Sequence, residues 1–258
     1  MSRSRTPRSL DGVTVLVTRP AERNAKMVTL LDQRGARAIA APTIGIRRSR
    51  SAALTRALRE LADGAFTWVV LTSPATVAML DERVGSARDL RAAVAAIGDG
   101  TAEAFRRWAR RVVDLRAATF TTTGLARAFP RGEGRVLCAR ADIAPEGLER
   151  ALAAKGWTPT RVDAYRTVFP TKLPKLAREA LEAGEVDVVT FTSASTVRGY
   201  AGAVGTVRGS PKVVCIGPVT AKEARAHGLR VHAVADPHTT EGLIAAIERV
   251  IRGRRPRG

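Results

Sequence analysis

Aromatic side chains make up only 4% of this 258-residue chain, too few to build the stacked platforms that hold single-stranded nucleic acid. It has two cysteines, Cys138 and Cys215. Each falls inside an apolar run, the setting of a small buried thiol rather than of a disulfide or a metal ligand. The three histidines, His227, His232 and His238, have no cysteine or paired carboxylate around them at metal-ligand spacing. No apolar run is long enough to span a bilayer, and the N-terminal Ser2-Arg3-Ser4-Arg5-Thr6-Pro7-Arg8 lacks the apolar segment of a signal peptide. These absences lead to the expectation of a cytoplasmic chain with neither a membrane partner nor a metal.

Acid is also in short supply, with 24 acidic residues against 43 basic ones and a formal charge of +19. Part of the excess lies in the tails, at Arg3, Arg5, Arg8, Arg252, Arg254, Arg255 and Arg257. The body is basic as well, which suits either a polyanionic partner or a solvated arginine-rich surface. Without a helix-turn-helix, zinc or RNA-binding signature, nucleic acid is not the expected partner. A small polycarboxylate stays open as a partner, beside the plain solvated surface that charge alone favours.

What is present is a repeat. Val188-Val189-Thr190-Phe191-Thr192-Ser193-Ala194-Ser195-Thr196-Val197 restates Val69-Val70-Leu71-Thr72-Ser73-Pro74-Ala75-Thr76-Val77 at an offset of 120. Each copy is one buried strand breaking into hydroxyl residues where a helix begins; Ser73 suits a cap, and Pro74 suits the first helical position. Val136-Leu137-Cys138-Ala139-Arg140 answers Val15-Leu16-Val17-Thr18-Arg19 at 121, and Gly156 answers Gly35 at the same offset. Ile216-Gly217-Pro218-Val219-Thr220 answers Ile97-Gly98-Asp99-Gly100-Thr101 at 119, and Thr240-Glu241-Gly242-Leu243 answers Thr122-Thr123-Gly124-Leu125 at 118. Between these turns run strands at Val13 to Val17, around Ile39, Thr67 to Leu71, Val94 to Ile97 and Val112 to Leu115. Helices are expected at Ala21 to Gln33, after Ser51 and through Trp108. Thr43 to Arg47 and Val162 to Val168 alternate strictly and read as exposed strands.

Strands alternating with helices in duplicate give an α/β fold of parallel sheets covered by helices on both faces. Ligands bind such sheets outside the carboxyl ends of the strands, and every repeated turn falls there. Unpaired N–H groups at helix starts, with hydroxyls beside them, suit anions; the same residues also serve simply as caps. Gly98-Asp99-Gly100 is only a fragment of a dinucleotide fingerprint, lacking its third glycine and absent from the second copy.

The paired Thr-Ser turns, the Ile-Gly-x-x-Thr turns, the opening Val-Leu-Val-Thr-Arg-Pro, the bridging Ala-Pro-Thr-Ile-Gly-Ile and the central Asp163-Ala164-Tyr165-Arg166-Thr167 together resemble the uroporphyrinogen-III synthase family, from about Gly12 to Ile251. The resemblance implies two flavodoxin-like α/β domains joined by a two-stranded antiparallel ladder. Residues 1–41 with 170–258 would form domain one, 50–159 domain two, and 42–49 with 160–169 the ladder, whereas the repeat alone suggests two consecutive halves split near residue 130.

The family's reaction closes hydroxymethylbilane, a linear tetrapyrrole with eight carboxylates, into uroporphyrinogen III with ring D inverted. It is a lyase reaction that needs no cofactor. The resemblance makes Tyr165 the group that assists departure of the substrate hydroxyl, although a tyrosine in an alternating strand also serves as packing. Substrate carboxylates would fall to Thr72, Ser73, Thr101, Thr192, Ser193, Ser195, Lys212, Gly217 and Thr220, with Arg19 and Arg140 as further partners. Asp99 is out of place in an anion-holding turn unless it caps its helix or faces away. The chain is expected to act as a monomer whose domains open and close about the ladder, with hydroxymethylbilane synthase upstream. A non-catalytic tetrapyrrole or anion sensor is the alternative.

Overall fold

The computed structural model describes residues 8–21, 24–84, 87 and 90–253; the tail arginines Arg3, Arg5, Arg254, Arg255 and Arg257 lie outside them. The chain divides into two compact units, Met1–Gly45 with Val168–Gly258, and Ile46–Thr167.

The first unit is built on a five-stranded sheet of β1 (Thr14–Val17), β2 (Arg37–Ala40), β9 (Val188–Phe191), β10 (Lys212–Cys215) and β11 (Val231–Val234), ordered β11-β10-β9-β1-β2. All its pairings are parallel. In chain order this is the 2-1-3-4-5 arrangement, whose crevice lies between the first and third strands, here β1 and β9. Alternation along β1 sends Leu16 to one face and Val15 and Val17 to the other. The Leu16 face carries α7 (Lys175–Ala183), α8 (Ala194–Ala203) and α9 (Pro218–Ala226); the other carries α1 (Ala25–Gln33) and α10 (Thr240–Arg252).

The second unit repeats this plan with the chain entering elsewhere. Its sheet holds β3 (Gly45–Arg48), β4 (Trp68–Leu71), β5 (Ala93–Ala96), β6 (Leu115–Arg116), β7 (Arg135–Ala141) and β8 (Thr158–Val168), ordered β3-β8-β7-β4-β5-β6. Helices α2 (Ala52–Ala62), α3 (Pro74–Val84) and α4 (Asp99–Ala109) cover one face; α5 (Thr122–Ala128) and α6 (Gly147–Ala153) cover the other. By the sequence repeat, β7 corresponds to β1 and β4 to β9. Thus β1 of the first copy pairs with β9 of the second, and β7 of the second pairs with β4 of the first. The two copies exchange halves, so consecutive halves split near residue 130 would break both sheets.

Several elements depart from the local reading. The strand expected from Val112 shrinks to Leu115–Arg116, and Val112 is 72% exposed. Arg110 ends α4 in the left-handed region, and β6 is pinned only from Asp114, whose N–H donates to Val94 O and whose Oδ2 accepts from Val94 N. Thr43, read as the start of an exposed strand, is fully buried because its hydroxyl bridges the carbonyls of Thr18 and Thr196. Strand β8 begins at Thr158 and pairs in parallel with β7 as far as Tyr165, so it is a full member of the second sheet as well as the neighbour of β3.

The repeated Thr-Thr-x-Gly-Leu turns have a packing reason. Thr121 caps α5 by accepting from Gly124 N, and Thr239 caps α10 by accepting from Gly242 N. A Cβ on Gly124 would run into the carbonyl of Thr119, and one on Gly242 into that of Pro237. At Gly242 the obstacle is backbone alone; at Gly124 the Thr119 side chain adds to it. Gly242→Ala is therefore expected to destabilise the first unit by about 1–3 kcal/mol; an unchanged thermal midpoint would show that the turn has slack.

Candidate active site

At the carboxyl rim of the second unit the Thr72-Ser73 turn opens α3. The Ser73 hydroxyl accepts from Thr76 N at 3.3 Å, lies 3.3 Å from Thr76 Oγ1, and meets the phenol of Tyr165 at 3.0 Å. Thr76 Oγ1 in turn donates to Ala139 O at the end of β7. Tyr165 reaches this place through a bulge in β8: Arg140 pairs with Asp163 but the next residue, Ala141, pairs with Tyr165. The interrupted alternation lets Ala164 and Tyr165 pack on the same core cluster. Asp142 fixes the backbone there, its N–H donating to Tyr165 O and its carboxylate accepting from Thr167 N. The half-buried phenol thus lies beside Thr72-Ser73 at the β7/β4 crevice, the counterpart of β1/β9.

At the rim of the first unit, Ser193 caps α8 in a capping box with Thr196, and its hydroxyl lies 2.9 Å from that of Ser195. Thr192 N donates to Thr196 Oγ1. Arg19, following β1, is half-buried and donates to Thr240 Oγ1 at 3.0 Å. Arg19 and the Ser193 turn therefore follow the two strands that flank the crevice.

Other residues chosen from the sequence lie away from the rims. Thr101 and Thr220 are each 4% exposed; both sit in the first turn of a helix with their side chains turned inward, so their hydroxyls do not line the rim. Gly217, just before α9, is buried too. Arg140, the counterpart of Arg19, is 2% exposed and committed to Glu149, with Nη1 2.9 and 2.8 Å from the two carboxylate oxygens and 2.9 Å from Pro145 O. Lys212 stands at the amino end of β10, four residues before the rim. At about 3.3 Å per residue that places its backbone on the opposite edge of the sheet. Asp99 is paired with Arg116.

Lys212 acts on a different group. Burial, and then the charges of Lys212 and Arg230, push the pKa of His232 below its ordinary value, and His232 Nδ1 accepts from Val213 N at 3.0 Å. A depressed folded value means that the stabilisation is present above the ordinary histidine pKa of about 6.5 and is lost as pH falls through the folded value. Denaturation midpoints from about pH 7.5 to about pH 5 should fall more for the native chain than for His232→Asn, which keeps an acceptor for Val213 and does not titrate there; parallel curves would contradict this. Both cysteines are buried and free, their thiols pushed up to about 12 chiefly by burial, which keeps them protonated and inert.

Two rings at the rims carry no signal in the repeated turn words. Phe120 lies over Gly98 and His238 over Gly217, each immediately before the threonine that caps the next helix.

Residues 25–245 match the family model described as uroporphyrinogen-III synthase HemD. The uroporphyrinogen-III synthase of Synechococcus elongatus is 28% identical, over 94% of this chain and 97% of its own. A relative from Methanothermobacter thermautotrophicus is 33% identical over 90% and 96%. Among solved structures, a mutant uroporphyrinogen III synthase from Thermus thermophilus matches with a TM-score of 0.67 at 21% identity, over 94% of this chain and all of the other. The synthetase of Helicobacter pylori matches at 0.64 and 16%, over 94% of this chain and all of the other. At those identities the two structures speak for the fold.

Proposed function

The chain belongs to the uroporphyrinogen-III synthase family, and from that premise we propose that it cyclises hydroxymethylbilane to uroporphyrinogen III, inverting ring D, with Tyr165 as proton donor. The observation that carries the assignment of Tyr165 is its phenol at a sheet crevice, 3.0 Å from the Ser73 hydroxyl. Ser73 Oγ accepts from Thr76 N, and in the proposed arrangement its own proton is directed to the phenol oxygen. The phenol proton is then free for the substrate hydroxyl, which leaves as water. The resulting cation is delocalised over the bilane's own pyrroles; ring D attacks it, the spiro intermediate fragments, and reclosure at the free α-carbon of ring D expels that carbon's proton, which balances the one given to the leaving hydroxyl. The protein is asked mainly for position, which supplies most of the barrier reduction in such reactions.

Substrate carboxylates are assigned to half-buried residues of the rims: Thr72 in the second unit, and Thr192, Ser193, Ser195 and Arg19 in the first. Hydroxyls beside helix starts and one guanidinium suit that task. Thr101, Thr220, Arg140 and Lys212 are not given this role.

The reading is tested by supplying freshly generated hydroxymethylbilane and separating the product isomers. Type III is expected; type I alone, the product of unassisted closure, would leave a binding protein of the same fold.

A further inference from the structure

We propose that His238 is a substrate-positioning residue of the first unit, holding one carboxylate of the bilane through Nε2. The inference rests on reading the chain as a uroporphyrinogen-III synthase and adds a residue to its rim.

The duplication provides an internal control. A Cβ on Gly98 would lie 2.9 Å from Cγ and Cδ1 of Phe120, and a Cβ on Gly217 would lie 3.6 Å from Cγ and Cδ2 of His238. Both turns are thus roofed by a flat ring from the residue before a helix cap. An apolar ring satisfies that packing in the second unit, so packing alone does not require an imidazole in the first. What the imidazole adds is polar edges. Its Nδ1 lies 2.7 Å from Ala235 O, and a carbonyl only accepts, so Nδ1 carries a proton and the ring is held in orientation. With Cγ and Cδ2 against Gly217 and Nδ1 on Ala235, the remaining edge, Cε1 and Nε2, is left for a ligand, and the residue is exposed.

The neighbourhood favours an anion. Two residues after His238, Thr240 holds Arg19 from the end of β1. Glu241, the acid in the first turn of α10, is itself paired with Lys26 of α1, and the exposed Asp236 lies before the ring. With Nδ1 on Ala235 O, the imidazolium form of the ring presents Nε2–H to a carboxylate, a contact that the ring of Phe120 cannot supply.

The test compares three forms of the full chain in steady-state formation of the type III isomer: native, His238→Phe and His238→Lys. His238→Phe installs the residue its duplicate already carries. It is expected to raise KM for hydroxymethylbilane about three- to tenfold with kcat within about twofold, as for loss of one binding hydrogen bond. His238→Lys, which restores a cationic donor, should return KM to within about threefold of native. An unchanged KM in His238→Phe, a lysine variant as weak as the phenylalanine one, or a fall in kcat at constant KM would each overturn the proposal. Failure of the native chain to make type III isomer would instead remove the underlying function, and is seen before any variant is compared.

Discussion

Tyr165→Phe is expected to lower kcat for type III formation by about 10²-fold or more, within the range a positioned general acid contributes, while affinity for uroporphyrinogen III stays within about twofold. The substitution removes one hydroxyl and leaves the ring that packs on the α2–α4 face of the second sheet, so the fold should be retained. Loss confined to kcat is the signature of an interaction made in the transition state. Ser73→Ala should move in the same direction by less, since it removes the group that orients the phenol and the cap of α3. Equal kcat values for native and Tyr165→Phe would reduce the tyrosine to a packing residue and return the proton to solvent.

Glu149→Gln is expected to destabilise the second unit by about 3–5 kcal/mol, the effect of leaving a buried charge without its partner. Arg140 is enclosed, its Nη1 between both carboxylate oxygens and Pro145 O, with Nε buried and unbonded among the described residues. Arg161 approaches the same carboxylate at 3.7 Å while donating to the carbonyls of Ala141, Asp142 and Ala144. The cluster therefore holds the turn whose Asp142 fixes the backbone at Tyr165, so turnover should fall with stability. Arg140→Met combined with Glu149→Leu should recover part of the loss, because the sealed Arg140 charge goes with its partner, while the less buried Arg161 keeps Asp163 and its three carbonyls. Chemical denaturation of the native chain, the single variant and the double variant checks this; a loss in Glu149→Gln below about 1 kcal/mol would mean that water already reaches Arg140.

Arg140 also shows where local reading ends. Arg19 and Arg140 are one repeat offset apart and look equivalent, yet one lies at a rim and the other is sealed. The difference is present in the sequence at one remove: Glu149 answers Val28 at the same offset of 121, so only the second copy carries an acid at that position. Strands and caps are legible because an apolar run ending in a hydroxyl and a helix start is a local signal. The exchange of strands between copies is not, since Thr18 Oγ1 donates to Thr190 O across 172 residues and no periodicity encodes that pairing. Thr101 and Thr220 are misplaced by the motif because a turn gives the position of a hydroxyl in sequence but not the face of the helix it joins. Lys212 is misplaced because its nearness to Gly217 in sequence hides the length of β10 between them. Tyr165 is legible by resemblance, whereas its approach to Ser73 depends on a bulge at Ala164 that the alternating pattern conceals.

The most direct measurement is the isomer composition formed from fresh hydroxymethylbilane, at enzyme levels where spontaneous closure competes, for the native chain and Tyr165→Phe side by side. The account predicts type III as the main product of the native chain and a mixture shifted toward type I for the variant. Type I alone from the native chain, or identical isomer ratios from the two proteins, would contradict it.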